Sequence, residues 1–344
     1  MDEVQIGKKF VGLNHPVFII AEIGGNHDGS LDKAYKLIQI ASECGVDAVK
    51  FQFFRADTIA AKIDNEIAIL ENGKTLHQFY KEIETPYEWC QDLKECCDKY
   101  RVEFIASPFD KEAVDLLNEV SINAYKIASF EIIDYHLIDY IASKKKPIIL
   151  STGMANLDDI HAALDVIKKY HSEYILLHCG MGYPLDFKDV NLKAILTLKD
   201  EFNCPIGYSD HTIGMVIPIF GVGLGMDMIE KHFTFDRNLV GADHSFAIEP
   251  NELKLMVENI RHAESALGTE VKDRVDVEEI HYKRGRRSLF IIKDLKKGTI
   301  LTHENILALR PGIGLHPKFL NNIIGKKVKR DTPKYTPLSE DLIE

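Results

Sequence analysis

Eight apolar runs, each stopping on a polar residue and alternating with helical patterns, constrain this 344-residue chain more than any other feature. They end at Glu22, at Lys50, at Ser107, at Lys126 with Ser129, at Ser151, at His178 ahead of Tyr183, at His211 and at His232. Strand and helix repeated in this order is the signature of right-handed crossovers, and eight such units close into a (β/α)8 TIM barrel of about 250 residues. A barrel of this kind collects the C-terminal ends of its strands around one pocket, so polar residues far apart in sequence meet there.

The pattern predicts strands near 17–21, 47–52, 103–107, 124–129, 147–152, 174–179, 205–210 and 228–234. Val17-Phe18-Ile19-Ile20-Ala21 is apolar throughout, as a parallel strand covered on both faces should be. Helices are expected near 110–118, 134–144, 156–169, 188–201, 212–224 and 250–266, with another built on Leu31, Ala34, Leu37, Ile38 and Ala41. Thr85-Pro86-Tyr87-Glu88 reads as a capped helix start running to about Tyr100. Residues 55–84, with a helix of their own, are longer than most βα connections and suit a lid.

The barrel accounts for residues 1–268. A charged, non-periodic linker over 269–285 then leads into a small β-rich module over 286–344, whose short apolar segments are separated by glycine and proline. The net charge of -11 disfavours nucleic-acid binding, which needs a basic footprint. Six cysteines without Cys-x-x-Cys spacing read as reduced thiols, and the first residues lack the pattern of a signal peptide. The region from Ile213 to Ile229 is broken by Pro218 and four glycines and carries Asp227, short of a membrane span. A cytoplasmic protein is expected.

His211 and His232 close neighbouring strands, and two neutral imidazoles suit a divalent metal that keeps positions open for substrate. Hydrogen-bonded strand-end histidines are the plain alternative. Lys50 and Lys126 can hold a carboxylate and a phosphate as point charges, with Ser107, Ser129, Ser151 and Ser209 as hydroxyl partners. A Schiff-base role for either lysine stays open. Period-two alternation turns Lys50 and Gln52 to one face and turns Asp210 away from the pocket. Glu22, beside lysines and a metal, is expected ionised and able to act as a base. Cys179 and Met181 read as packing residues.

Several ordered segments carry a family resemblance. They are Ala21-Glu22-Ile23-Gly24-Gly25-Asn26-His27-Asp28-Gly29-Ser30, Val49-Lys50-Phe51-Gln52, Tyr125-Lys126-Ile127-Ala128-Ser129, Leu150-Ser151-Thr152-Gly153-Met154, Tyr208-Ser209-Asp210-His211-Thr212 and Ile229-Glu230-Lys231-His232-Phe233-Thr234. Over essentially the whole chain the sequence resembles the sialic acid synthase, or nonulosonic acid synthase, family, with an antifreeze-like (SAF) domain at the C-terminus. Thr85-Pro86-Tyr87-Glu88-Trp89 and Arg310-Pro311-Gly312-Ile313-Gly314 are most similar to its pseudaminic acid synthase branch.

The resemblance implies a C–C bond-forming transferase that condenses phosphoenolpyruvate with an N-acylated amino sugar, giving a nine-carbon 2-keto acid and phosphate. It implies a divalent metal, manganese ahead of magnesium or cobalt, on His211 and His232, with Glu22 the acid beside it. It places Lys50, Gln52, Ser107, Lys126, Ser129, Ser151 and Ser209 around phosphoenolpyruvate, and Tyr183 and Asp243 at the sugar. Arg310 would cross to the partner in a domain-swapped homodimer. The chain departs from the family at Gly180-Met181-Gly182, at Phe53 and around Asp243, and Asn72 is the loop candidate for a phosphate contact. The competing readings are a 3-deoxy-octulosonate type of phosphoenolpyruvate condensation and a non-catalytic carbohydrate-binding or ice-binding protein.

Overall fold

Strand alternation decides the architecture. In the computed structural model, which describes residues 3–70 and 73–344, the chain opens with an antiparallel hairpin, β1 (Glu3–Ile6) and β2 (Lys9–Gly12). Eight parallel strands follow: β3 (Phe18–Glu22), β4 (Ala48–Phe53), β5 (Glu103–Pro108), β6 (Tyr125–Ile127), β7 (Ile148–Ser151), β8 (Tyr174–Cys179), β9 (Ile206–Asp210) and β10 (Met228–His232). Each pairs with the next, and β10 pairs with β3 to close a barrel. Every expected strand is present, within two residues of its expected ends.

Inside the barrel, Phe18, Ile20, Ala48, Ile105, Ala124, Ile149, Ile175, Leu177 and Met228 form one apolar cluster. Val4, Ile6 and Val11 of the hairpin join the same cluster and so cover the N-terminal end. This hairpin is not foreseen by the sequence reading, although the buried residues of β1 alternate as a half-covered strand requires. Gly207 sits where β9 presses on β10. A Cβ there would collide with the Met228 carbonyl oxygen and lie 2.7 Å from Leu177 Cδ2, so the close approach demands glycine.

Helices cover the outside through a second, larger apolar layer. The helix Leu31–Glu43 buries Ala34, Leu37, Ile38 and Ala41, and its first turn is capped by Ser30, whose side chain accepts the Lys33 N–H. The helices expected over 188–201 and 212–224 are shorter, Ala194–Glu201 and Val216–Gly223. Asn191 (φ 47°) and Gly214 (φ 80°) adopt left-handed backbone that a helix interior cannot hold. Thr85 is no cap: a 3-10 turn, Tyr87–Trp89, precedes the helix Cys90–Tyr100, and the Thr85 hydroxyl is taken by buried His27 at 3.0 Å. Within 55–84 lie two helices, Ala56–Ile59 and Leu76–Ile83, the second opened by a Thr75–Gln78 capping box.

The chain divides after Gly268. In the second unit, a 3-10 turn (Asp276–Glu278) and the helix Glu279–Gly285 precede an antiparallel pair, β11 (Ser288–Ile291) and β12 (Ile306–Leu309). Its own core includes Leu289, Ile291, Leu301, Val328 and Leu338. All six cysteines are free thiols. Among the described residues no helix is long and apolar enough to cross a membrane.

Candidate active site

One alternation step above the apolar cluster, the inward side chains become polar. The ladder sets Glu22 opposite Lys50, Gln52 opposite Ser107, Ser209 opposite Glu230, and His232 opposite Glu22. Lys50 Nζ lies 2.8 Å from Glu22 Oε2 and 3.7 Å from Glu230 Oε1. Lys126 Nζ stands 4.0 Å from Glu230 Oε1 and donates to Ser151 Oγ at 2.6 Å and to the Ile127 carbonyl at 3.1 Å. Gln52 donates to Glu22 Oε1 at 2.6 Å, and Ser209 donates to Glu230 Oε1 at 3.0 Å. The Ser107 hydroxyl is buried with no hydrogen-bond partner among the described residues. Ser129 Oγ accepts the Gly153 N–H at 3.0 Å.

Burying this many charges shifts all of them. Burial pushes the Glu22 carboxyl up and Glu230 adds to it, against the pull of Lys50. Burial works against a charged Lys50 too, but Glu22 and Glu230 outweigh it and raise the ammonium's pKa. Lys126 is lowered by burial, with Glu230 opposing and Lys50 repelling. Glu230 is held low despite burial, because both lysines face it. The result is a buried cluster in which two lysines face the carboxyls of Glu22 and Glu230.

His211 follows β9 and His232 ends β10, with ring centroids 5.4 Å apart. His211 Nδ1 stands 3.0 Å from the Gly180 carbonyl, which can only accept, so Nδ1 carries the proton and Nε2 is left with its lone pair. Burial holds His232 down at about 3, with Asp243 pulling the other way, so this ring is neutral. Its Nδ1 is buried without a hydrogen-bond partner among the described residues, the Asp243 carboxylate standing 3.7 Å away. Burial works against a charged His211, but Cys179 and the Gly180 carbonyl outweigh it and raise the ring's pKa, so His232 is the ring held neutral; each offers a nitrogen to a divalent cation, His211 once its second proton has left. No cluster of three or more histidine, cysteine, aspartate or glutamate side chains suited to a metal occurs among the described residues, so any cation here has only two protein nitrogens.

Tyr183 stacks at the rim, its ring 4.4 Å from His211 and 5.4 Å from Phe246, and remains half exposed. Asp243 accepts the Gly25 N–H at 3.2 Å, close to Glu22 and His232. The barrel thus gathers every expected site residue except two. Arg310 belongs to the second unit, where it is exposed, and Asn72 lies outside the described residues. Cys179 lies against the site, its sulfur 3.8 Å from His211 Nδ1. Met181 brings a thioether to the site: a Cβ on Gly153 would lie 2.9 Å from Met181 Sδ and 2.8 Å from Ser129 Oγ.

Two carboxylates escape the sequence reading. Glu230 shares a face with His232 by the same alternation that pairs Lys50 with Gln52, and that signal suffices to find it. Glu131, in the 3-10 turn Ser129–Ile133, has a buried Oε2 without a partner among the described residues. Burial pushes it up to about 7, with Lys126 resisting, which suits a group that exchanges protons near neutrality. Nothing periodic marks it, because the turn breaks the strand pattern two residues earlier.

Fold and site together define a TIM-barrel protein with buried lysines, carboxyls and two imidazoles gathered at the C-terminal ends of its strands, and a separate C-terminal module. Family models match both parts: NeuB family over residues 37–272 and SAF domain over 286–344. The chain belongs to the NeuB family. It is 40% identical to N,N'-diacetyllegionaminic acid synthase of Legionella pneumophila over 98% of both chains, and 39% identical to pseudaminic acid synthase of Campylobacter jejuni over 95% of this chain and 96% of that one. The crystal structure of the N-acetylneuraminic acid synthetase of Leptospira borgpetersenii, in complex with citrate, superposes with a TM-score of 0.75 at 36% identity, covering 82% of this chain and 96% of that one.

Proposed function

We propose that the protein is a metal-dependent nonulosonic acid synthase, joining phosphoenolpyruvate to the open-chain aldehyde of an N-acylated amino sugar with release of phosphate. The observation that carries this reading is the convergence of side chains at the C-terminal ends of the strands: Lys50 and Lys126 facing the carboxyls of Glu22 and Glu230, with the His211 and His232 ring centroids 5.4 Å apart. The relatives' names and the citrate bound by the Leptospira enzyme support it.

His211 and His232 would hold the cation, which supplies Lewis-acid polarisation of the aldehyde oxygen when bound. Lys50 and Lys126 hold the phosphate and carboxylate, helped by the hydroxyls of Ser107, Ser129, Ser151 and Ser209. C3 of phosphoenolpyruvate forms the new bond to the aldehyde carbon, water adds at C2, and the C2–O bond to phosphate breaks. Glu22 takes the proton of that water; its raised pKa suits the exchange. Tyr183 and Asp243 face the sugar. Identities of 40% and 39% do not separate legionaminic from pseudaminic precursors, and the motif likeness favours the pseudaminic type.

Purified protein should release phosphate from phosphoenolpyruvate only with an N-acylated amino sugar, the product mass naming the acceptor. A chelator should stop the release and manganese restore it; phosphate release that needs a phosphorylated acceptor would instead favour the octulosonate type. We also propose a cytoplasmic homodimer in which Arg310 enters the partner's pocket. Mixing the inactive variants Arg310→Ala and Lys126→Met should then regain activity, since one site of the mixed dimer is intact; no regain means that Arg310 does not act across subunits.

A further inference from the structure

On the outer face of β9 and β10, away from the pocket, Lys231 and Asp210 form an ion pair whose side chains are 1% and 0% exposed. Lys231 Nζ lies 2.6 Å from Asp210 Oδ2 and donates at 2.6 Å to the carbonyl of Thr212. Asp210 Oδ1 in turn accepts the Thr212 N–H at 2.9 Å. The two anchor points bracket His211, and the residue that grips them both immediately precedes His232.

The backbone ladder between these strands ends at the Lys231–Asp210 pair. Beyond it the two chains turn to different partners: the His211 carbonyl accepts from Leu185 N–H and the His232 carbonyl from Ile248 N–H. No strand pairing therefore holds the two histidines at a fixed separation, and the ammonium chelate is what bridges them. A buried ion pair is a weak way to gain stability, since apolar residues of similar volume serve as well or better. Geometry explains its presence here. We propose that Lys231 and Asp210 are positioning residues that set the spacing of the His211 and His232 rings for a divalent cation, an inference that rests on the metal reading above.

The test is the double variant Asp210→Asn/Lys231→Met in the full chain. It removes both charges together, so none is left unpaired; the asparagine keeps an acceptor for Thr212 N–H and the methionine fills the lysine stem's volume. Manganese binding is measured by loss of the free-ion EPR signal, and the melting temperature of the metal-free protein in parallel. We expect the dissociation constant to rise about 10–100-fold, as for groups that orient metal ligands, with the metal-free melt shifted by no more than about 3 °C. Lys231→Arg, which keeps the charge but reaches farther, should weaken manganese in the same direction and by less. Wild-type affinity in either folded variant overturns the proposal. If the unaltered protein takes up no manganese in the same titration, the metal reading itself falls and the inference with it.

Discussion

Along the barrel strands the inward positions change character within a single step: Ile20 gives way to Glu22, Ala48 to Lys50, Ile105 to Ser107, Ala124 to Lys126 and Ile149 to Ser151. Below the step lies a closed apolar cluster, sealed by Val4, Ile6 and Val11. Above it lie buried charges and, among the described residues, a hydroxyl without a partner at Ser107 and an imidazole nitrogen without one at His232. Burial is favourable below and costly above, since a polar group removed from water must find partners or lose free energy. The lower half supports the upper, and the upper half keeps unsatisfied groups where a substrate can satisfy them.

That division should separate stability from activity. The largest effect is expected at Phe18, buried among the lower side chains. Phe18→Ala should cost about 3–5 kcal/mol in denaturant unfolding, while the folded fraction keeps its kcat/KM. Next comes Lys126→Met in the upper half, which should lower kcat/KM by about 10²–10³-fold. Its stability should fall by less than that of Phe18→Ala, because the lysine is itself disfavoured by burial, although its loss leaves Glu230 with Lys50 alone. If Phe18→Ala reduced activity as much as stability, or Lys126→Met unfolded the protein, the two halves would not be independent.

The sequence reveals the upper half better than the lower because charged residues at strand ends stand out against apolar runs. Eight strands, the two histidines and the lysines were all legible in this way, and alternation alone turned Asp210 outward, where it meets Lys231. Alternation also reaches Glu230, which shares the inward face of β10 with His232. Glu131 and the bond of Thr85 to His27 were not legible, because each depends on a contact distant in sequence: burial near Lys126 for one, and the His27 ring for the other. The hairpin was missed because four-residue strands carry too little pattern to register, and its role as a seal is a property of the closed barrel.

The smallest predicted effect concerns acid. His27, in the loop above β3, is wholly buried, and its Nδ1 accepts the Gly29 N–H at 3.1 Å, so its proton sits on Nε2, facing the Thr85 hydroxyl. Charging the ring would place a second proton against that N–H, and burial already holds its pKa at about 4. An unfolded chain protonates the same ring near its ordinary 6.5. The unfolded state therefore binds the proton first, and the stability due to the neutral ring is complete above pH 6.5 and drains away as pH falls toward 4. Between pH 7 and pH 5 the loss from this one group should be about 2 kcal/mol. In His27→Gln, which keeps a donor for Thr85, that portion of the acid sensitivity should vanish, whereas Phe18→Ala should retain all of it. Denaturant midpoints at the two pH values measure both. An equal drop in wild type and His27→Gln would show that acid does not act through this ring on the polar half.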